Sequence, residues 1–254
     1  MRIILFTVSF FFFSFSPAVA QQFINKARIE YEVRTKVKKN MGSGIFDEMI
    51  KDKLPDFMTT YYTNTFSNNK SIYKFEKWGD EKIPSFLKNG EDENVWFTNF
   101  NSDQFGMQKN LWGNTILVSD SIPQLKWKLE NENRMIAGFN CRKAVAVMFD
   151  SVYIFAFYTE EITFSGGPQS LNGLPGMILG VTIPRLSTSW IATKVMLDDV
   201  NENEIKLPAA KKQFKFNDLK KLMEERTNDW RSDDEKENKE MQESIARLLW
   251  NTYL

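Results

Sequence analysis

The stretch Gly166-Gly-Pro-Gln-Ser-Leu-Asn-Gly-Leu-Pro-Gly-Met-Ile-Leu-Gly-Val181 sets the reading of the whole chain. Gly167-Pro168 and Pro175-Gly176 are both turn signals. Pro175 and Gly176 suit the two central positions of a type II turn, because proline presets φ and glycine accepts a positive one. Met177 to Ile183 then forms an apolar run short enough for a buried strand. On the other side, Ala144 to Phe149 and Val152 to Thr159 read as two strands joined at Asp150-Ser151. The centre of the chain is therefore a hairpin, a fixed double-turn loop and a third strand.

Working outward, the same β character continues. From Arg28 to Val37 apolar and charged residues alternate strictly, which is the pattern of a half-buried antiparallel strand. Gly44 to Leu54 carries near-helical spacing and stops at Pro55. Met58–Phe66 and Ser71–Trp78 read as a hairpin turning at Asn68-Asn69, and Asn89 to Asn94 as a polar loop. Val95–Phe100, Gln104–Gln108, Thr115–Ser119, Gln124–Leu129, Asn133–Phe139 and Ser189–Met196 extend the series. About ten strands without intervening helices point to an antiparallel meander rather than βαβ units. The expected class is mainly β (α+β): a curved antiparallel sheet, a bowl or half-barrel, with a short N-terminal helix and C-terminal helices.

Past residue 200 the character changes. Phe216 to Arg226 places Phe216, Leu219, Leu222 and Met223 on one helical face, with Asn217 or Asp218 near the N-cap. Arg231 to Glu240 contains no apolar residue, and Met241, Ile245, Leu248 and Leu249 then resume helical spacing. The expected organisation is a leader over 1–20, a β-rich domain over 21–200, and a charged helical extension over 201–254 that packs on or beside the sheet. At the N-terminus Arg2, the apolar run Ile3–Phe15 and Ala18-Val19-Ala20 fit a cleavable signal peptide. The chain is expected to be exported, with no membrane span after cleavage. Periplasm, outer-membrane surface and extracellular medium remain open as destinations.

The 254 residues carry 33 basic and 33 acidic side chains, so no charge excess marks a nucleic-acid or membrane-surface protein. Histidine is absent and cysteine occurs once, which removes imidazole-based triads, imidazole metal sites and structural zinc. Neither GxGxxG nor GxxxxGK[ST] is present, so no cofactor is implied. Carboxylate chemistry remains. Glu160 and Glu161 are neighbours on a strand end and point to opposite faces, which disfavours a catalytic pair. Asp198-Asp199 with Asn201–Glu204, and Asp233–Glu235, lack calcium-loop spacing and read as turn and surface acids.

Cys141, Lys143-Ala144, Ala156-Phe157-Tyr158-Thr159, Glu161-Ile162, Gly167-Pro168 and Gly173-Leu-Pro-Gly-Met-Ile178, in that order, resemble the signature of the GLPGLI family. These are secreted proteins of Bacteroidetes-type bacteria. The resemblance runs from about Gly138 to Ile183, with a looser fit over the rest of the mature chain. Met177 stands where the family usually has Leu, Phe157 where it often has Trp, and Leu171 where an aromatic is common. The resemblance implies a two-membrane envelope and a family without an established activity. Within the motif Cys141, Lys143, Ala144, Tyr158, Thr159, Gly167, Pro168, Gly173, Leu174, Pro175 and Gly176 read as structural, Cys141 as a buried small hydrophobe.

Trp78, Trp96, Trp112 and Trp127 lie on or beside expected strands. If they share a concave face they could stack an apolar or extended ligand; otherwise they are sheet core. Three functions follow: a non-enzymatic binding module, a carboxylate-based hydrolase, or an assembly component docking on an envelope protein through the C-terminal helix.

Overall fold

The alternation from Arg28 to Val37 is realised as β1 (Ala27–Lys36), in which Ala27, Ile29, Tyr31 and Val33 are buried. The computed structural model describes residues 23–38, 49–88, 90–111, 113–149, 151–197 and 200–229, with 242, 243, 246, 247 and 250. The expected leader over 1–20, Trp112, Asp198, Asp199, the run Arg231–Glu240 and residues 44–48 of the expected Gly44–Leu54 helix lie outside the described residues.

After β1 come β2 (Phe57–Ser67) and β3 (Lys70–Trp78), joined by a two-residue turn. Asn68 and Asn69 both take positive φ, 51° and 59°, as a hairpin of this length requires; asparagine tolerates that region best among residues with a Cβ. The series continues with β4 (Val95–Asn99), β5 (Gln104–Leu111), β6 (Asn114–Asp120), β7 (Lys128–Ile136) and β8 (Phe139–Met148). It ends with β9 (Val152–Thr159), β10 (Met177–Ile183), β11 (Thr188–Met196), β12 (Lys212–Phe214) and the helix α1 (Phe216–Asp229).

All twelve strands form one open sheet in the order β12-β6-β5-β4-β3-β2-β1-β11-β10-β9-β8-β7. Two meanders, β1–β6 and β7–β11, meet where β1 pairs antiparallel with β11. β12 joins the edge beside β6 in parallel, against the antiparallel pattern elsewhere. The other edge, β7, is blunted by Lys128, Glu130, Glu132 and Arg134 and by an irregularity between Leu129 and Asn133. Charges and a bulge on an unpaired edge discourage strand addition.

Three local expectations differ from the structure. Gln124–Trp127 is not strand; β7 starts at Lys128 and runs through the stretch expected to separate two strands. The preceding segment is instead held by side chains, with Asn172 Nδ2 donating to the Pro123 carbonyl (3.0 Å) and Trp127 Nε1 to the Asn172 carbonyl (2.8 Å). Pro175 does not head a type II turn. Gly176 N–H donates to the Leu174 carbonyl (2.8 Å) in a tighter three-residue turn, while Met177 N–H goes to Ile162 (3.0 Å). Finally, the helix cap comes from another element: Phe216 N–H donates to Asp120 Oδ2 (3.1 Å) on β6.

Register assigns the two faces. Along β1 the residues Ala27, Ile29, Tyr31 and Val33 face inward, opposite Phe66, Asn64, Tyr62 and Thr60 of β2; Arg28, Glu30, Glu32 and Arg34 face outward. The inner face is filled by the chain itself. Residues 162–176, between β9 and β10, cross it with Ile162, Phe164, Leu171 and Leu174 buried. The Phe164 ring packs on Phe66 (4.8 Å) and Phe100 (5.2 Å). Two buried polar groups bind this filling directly: Asn64 Nδ2 donates to the Gly167 carbonyl (3.1 Å), and the Tyr31 hydroxyl to the Ile178 carbonyl (2.6 Å). Gly176 (φ 148°) lies so close to β9 that a Cβ would run into the Thr159 carbonyl, which explains glycine there.

At the β5–β6 end α1 completes the core. Leu219 and Met223 are fully buried, and Phe216 stacks on Phe105 (5.4 Å, 15°). The apolar stripe of this helix is thus used within the chain. On the outer face of β3 and β4, Ile205 and Leu207 pack against Ile72, Val95 and Phe97. Trp250 returns to the main core, with the Arg185 guanidinium 5.2 Å from its ring centre.

Candidate functional site

The expected motif residues are structural in setting. Ala144, Tyr158, Thr159 and Leu174 are buried, and the Leu174 carbonyl accepts from Ser165 Oγ (2.6 Å). Pro168 is buried, with its carbonyl accepting from Leu171 N–H (3.2 Å), and Gly173 lies beside the Trp127 indole. Cys141 is fully buried, and burial, then the Glu161 charge, pushes its thiol up to about 12, which leaves it un-ionised at neutral pH. Lys143 is on the outer side, paired to Glu130 (3.1 Å) and Glu132 (2.8 Å).

The tryptophans are not gathered on one surface. Trp96 is 2% exposed inside the main core. Trp127 is half-buried and spent on the Asn172 carbonyl. Trp78 belongs to a second cluster with Val37, Leu54 and Met58, beneath the Lys88 ammonium (4.9 Å).

Two other sites emerge, both served by the connection between β3 and β4. The first is an open cavity of about 400 Å³ on the outer face, lined by Glu32, Arg34, Thr59, Tyr61, Gly79, Asp80 and Glu81. Antiparallel pairing of β1 with β2 sets Glu32 opposite Tyr61 and Arg34 opposite Thr59. The chain leaving β3 then folds back over this pair: Gly79 N–H donates to the Thr59 carbonyl (2.8 Å), with no room for a side chain between them. Glu81 follows and accepts from the Thr59 hydroxyl (2.6 Å). Burial alone would raise the Glu81 carboxyl, but this hydroxyl, backbone N–H groups and Arg34 outweigh it and hold the group below its ordinary value. The Tyr61 hydroxyl donates to Glu32 (3.5 Å), and Lys77 stands over the Tyr61 ring (4.9 Å). The cavity is open to solvent and lined by three carboxyl groups and one guanidinium. Among the described residues no group of three or more acids or cysteines is placed to hold a metal.

The second site is on the inner side. Lys109 of β5 is 6% exposed, with its ammonium 5.2 Å from the centre of the Trp96 ring. Glu91, in the short 3-10 turn Glu91–Glu93, reaches the same place and accepts a long hydrogen bond from Tyr62 (3.4 Å). Tyr62 stacks on Tyr73 (4.9 Å, 1°), which meets Trp96 edge-on (5.5 Å). Burial pushes Glu91 up to about 7, opposed by the Lys109 charge; it pushes Lys109 down to about 7, opposed by Glu91. The Trp96 indole N–H is buried with no acceptor among the described residues.

No sequence signal marked either site. The cavity is made of ordinary outward-facing strand residues and a loop. The inner pair joins a glutamate from an acidic loop to the single inward-facing lysine of β5.

With this geometry established, similarity to known proteins bears on the fold. A family model described as a protein of unknown function (Porph_ging) matches residues 147–180, which span β9, the buried connection and half of β10. No curated protein matches the chain. Two solved structures of PNGF-II, in space groups C2 and P21, are similar in fold. The first has TM-score 0.52 and 16% identity over 78% of this chain, the second 0.51 and 17% over 78%. The chain spans about a third of PNGF-II, 32% and 33% in the two structures. Identity at this level shows a shared β architecture. Among the described residues no helix is long and apolar enough to cross a membrane.

Proposed function

We propose that this protein is an exported, non-enzymatic binding module of the GLPGLI type, whose ligand site is the outer cavity on β1, β2 and the β3–β4 connection. One observation carries the reading: Glu32, Asp80 and Glu81 face Arg34 around about 400 Å³ of open space, while the inner face is filled by residues 162–176 and α1. The volume falls in the range of small-molecule sites. Three carboxylates against one guanidinium favour a ligand rich in hydrogen-bond donors and carrying a cationic group. Export and GLPGLI kinship draw support from the Arg2-to-Ala20 leader pattern and from the overlap of the matched region with Gly173–Ile178. The hydrolase alternative asks for a raised acid inside the cleft. Among the described residues the raised carboxyl is Glu91, which lies on the inner side, away from the cleft acids.

Ligand-observed NMR with a panel of diamines, amino sugars and arginine amide tests this reading. Saturable binding that weakens at least about tenfold in Glu32→Gln, as expected for a lost charge-assisted contact, supports it. Binding unchanged in Glu32→Gln and Arg34→Ala, or no saturable binding across the panel, overturns it.

A further inference from the structure

Beyond the cavity, strand pairing lines up one row of residues across the outer face. Arg34 of β1 lies opposite Ser189 of β11, Ser189 opposite Thr182 of β10, and Thr182 opposite Phe155 of β9. Residues paired in this way share a face. The row therefore starts at the cavity wall, passes two hydroxyl groups and ends on an aromatic ring. Beside its start, Ile191 is paired with Glu32 and is 43% exposed, so apolar surface adjoins the cavity carboxyl. At its far end Tyr153, 54% exposed, stacks on Phe155 (6.4 Å, 17°), with exposed Val147 opposite Tyr153. One flank is walled by β7: Arg134 stands over the Phe157 ring (4.6 Å), and Ile136 fills the space that a side chain at Gly180 would take.

We propose that the occupant of the outer cavity is an extended peptide: a lysine or arginine side chain enters among Glu32, Asp80 and Glu81, and an aromatic side chain about four residues along the peptide lies on Phe155 and Tyr153. The proposal rests on the binding reading above and names the ligand class for that same cavity.

Charge selects the first station. Three carboxyl groups against one guanidinium attract a cation, and Ile191 beside Glu32 offers apolar surface to the methylene stem of a lysine or arginine. The middle of the row selects a peptide over a hydrocarbon tail. A methylene chain laid over Ser189 and the exposed Thr182 strips water from both hydroxyls and returns no hydrogen bond, whereas a peptide backbone offers each a donor or an acceptor. Spacing sets the interval. Strands lie about 4.8 Å apart, so the three steps from β1 through β11 and β10 to β9 cover roughly 14 Å. An extended chain advances about 3.4 Å per residue, so roughly four residues join the two stations. Residues i and i+4 of an extended chain also point to the same side, and a slip of one residue turns the aromatic away from the sheet.

Isothermal titration calorimetry of the whole protein with short peptides tests this. The probes are acetyl-Lys-Ala-Ser-Ala-Phe-amide and its reverse, acetyl-Phe-Ala-Ser-Ala-Lys-amide. The tighter binder is compared with versions in which Phe is replaced by Ala or moved one position toward Lys. Saturable binding that weakens at least about fivefold with either change, and by a similar factor in Phe155→Ala or Tyr153→Ala, is the expected result, the worth of one aromatic contact. The comparison among peptides needs no variant to fold. Equal affinity for all versions, weakened in Glu32→Gln, overturns the peptide track and leaves the cavity reading standing; so does binding of a diamine or amino sugar with no binding of any peptide. No binding by any of these probes removes both. Dodecylamine binding more tightly than either peptide, or Tyr153 covered by a second copy of the chain in solution, overturns the proposal in favour of that occupant.

Discussion

Glu81 and Glu91 lie on one connection, have the same side chain, and are driven in opposite directions. Glu81 sits at the wall of an open cavity and is held below the ordinary carboxyl value by the Thr59 hydroxyl, backbone N–H groups and Arg34, which overcome its burial. Glu91 points under the sheet, where burial dominates and a single cation with one long tyrosine hydrogen bond cannot compensate, so it rises to about 7. Residue type therefore says little about the chemistry of a carboxylate. The number of donors that reach it after folding, set against the water it loses, decides.

The comparison breaks most readily at Lys109. Lys109→Ala leaves a buried carboxylate without its cation and removes packing on Trp96; a loss of about 3 kcal/mol or more in urea unfolding is expected. A loss under about 0.5 kcal/mol means the inner site is as hydrated as the outer one. Next is the pH dependence of global stability. Between pH 4.5 and 7 stability falls by up to about 1.4 kcal/mol per pH unit, because the unfolded chain releases the Glu91 proton that the seated carboxyl keeps. Above 7 it recovers as Lys109 no longer needs a proton. Glu81 works the other way: being lowered, its contribution is complete above the free carboxyl value near 4.5 and fades as pH drops below it. A monotonic rise from pH 4.5 to 9 erases the distinction between the two glutamates. Carbon-detected NMR titration in Glu91→Gln sharpens it: the neutral carboxyl transition vanishes and the acidic transition of Glu81 stays in place. The smallest effect is expected for Glu81→Gln, about 1 kcal/mol from weakening its bond to Thr59, with the neutral trough unmoved.

Much of the fold was legible in the chain. Strict alternation in β1, the Asn68-Asn69 hairpin and the apolar run of β10 carry local signals that tertiary contacts did not have to override. The Phe216 helix was visible from its spacing, and its boundaries extend to Asp229. What was not legible depended on partners far along the chain. β12 is three residues, Lys212–Phe214, with no pattern of its own, and exists because the edge of β6 offers parallel pairing. Gln124–Trp127 has strand-like alternation, yet Asn172 claims it from within the buried connection. The four tryptophans could be listed from the sequence; whether they share a surface depended on where the sheet curls and what fills it.

The sequence by itself determined the β class, the hairpins and the turn-rich passage at Gly166–Val181, because periodicity and turn chemistry act over a few residues. Tertiary structure alone decided that this passage is a buried filling rather than a loop at the rim, and that one glutamate of the β3–β4 connection is held by the Thr59 hydroxyl at an open cavity while another meets Tyr62 on the inner side. Those outcomes follow from desolvation and long-range pairing, which have no local signature and arise only when strands distant in sequence close around a residue.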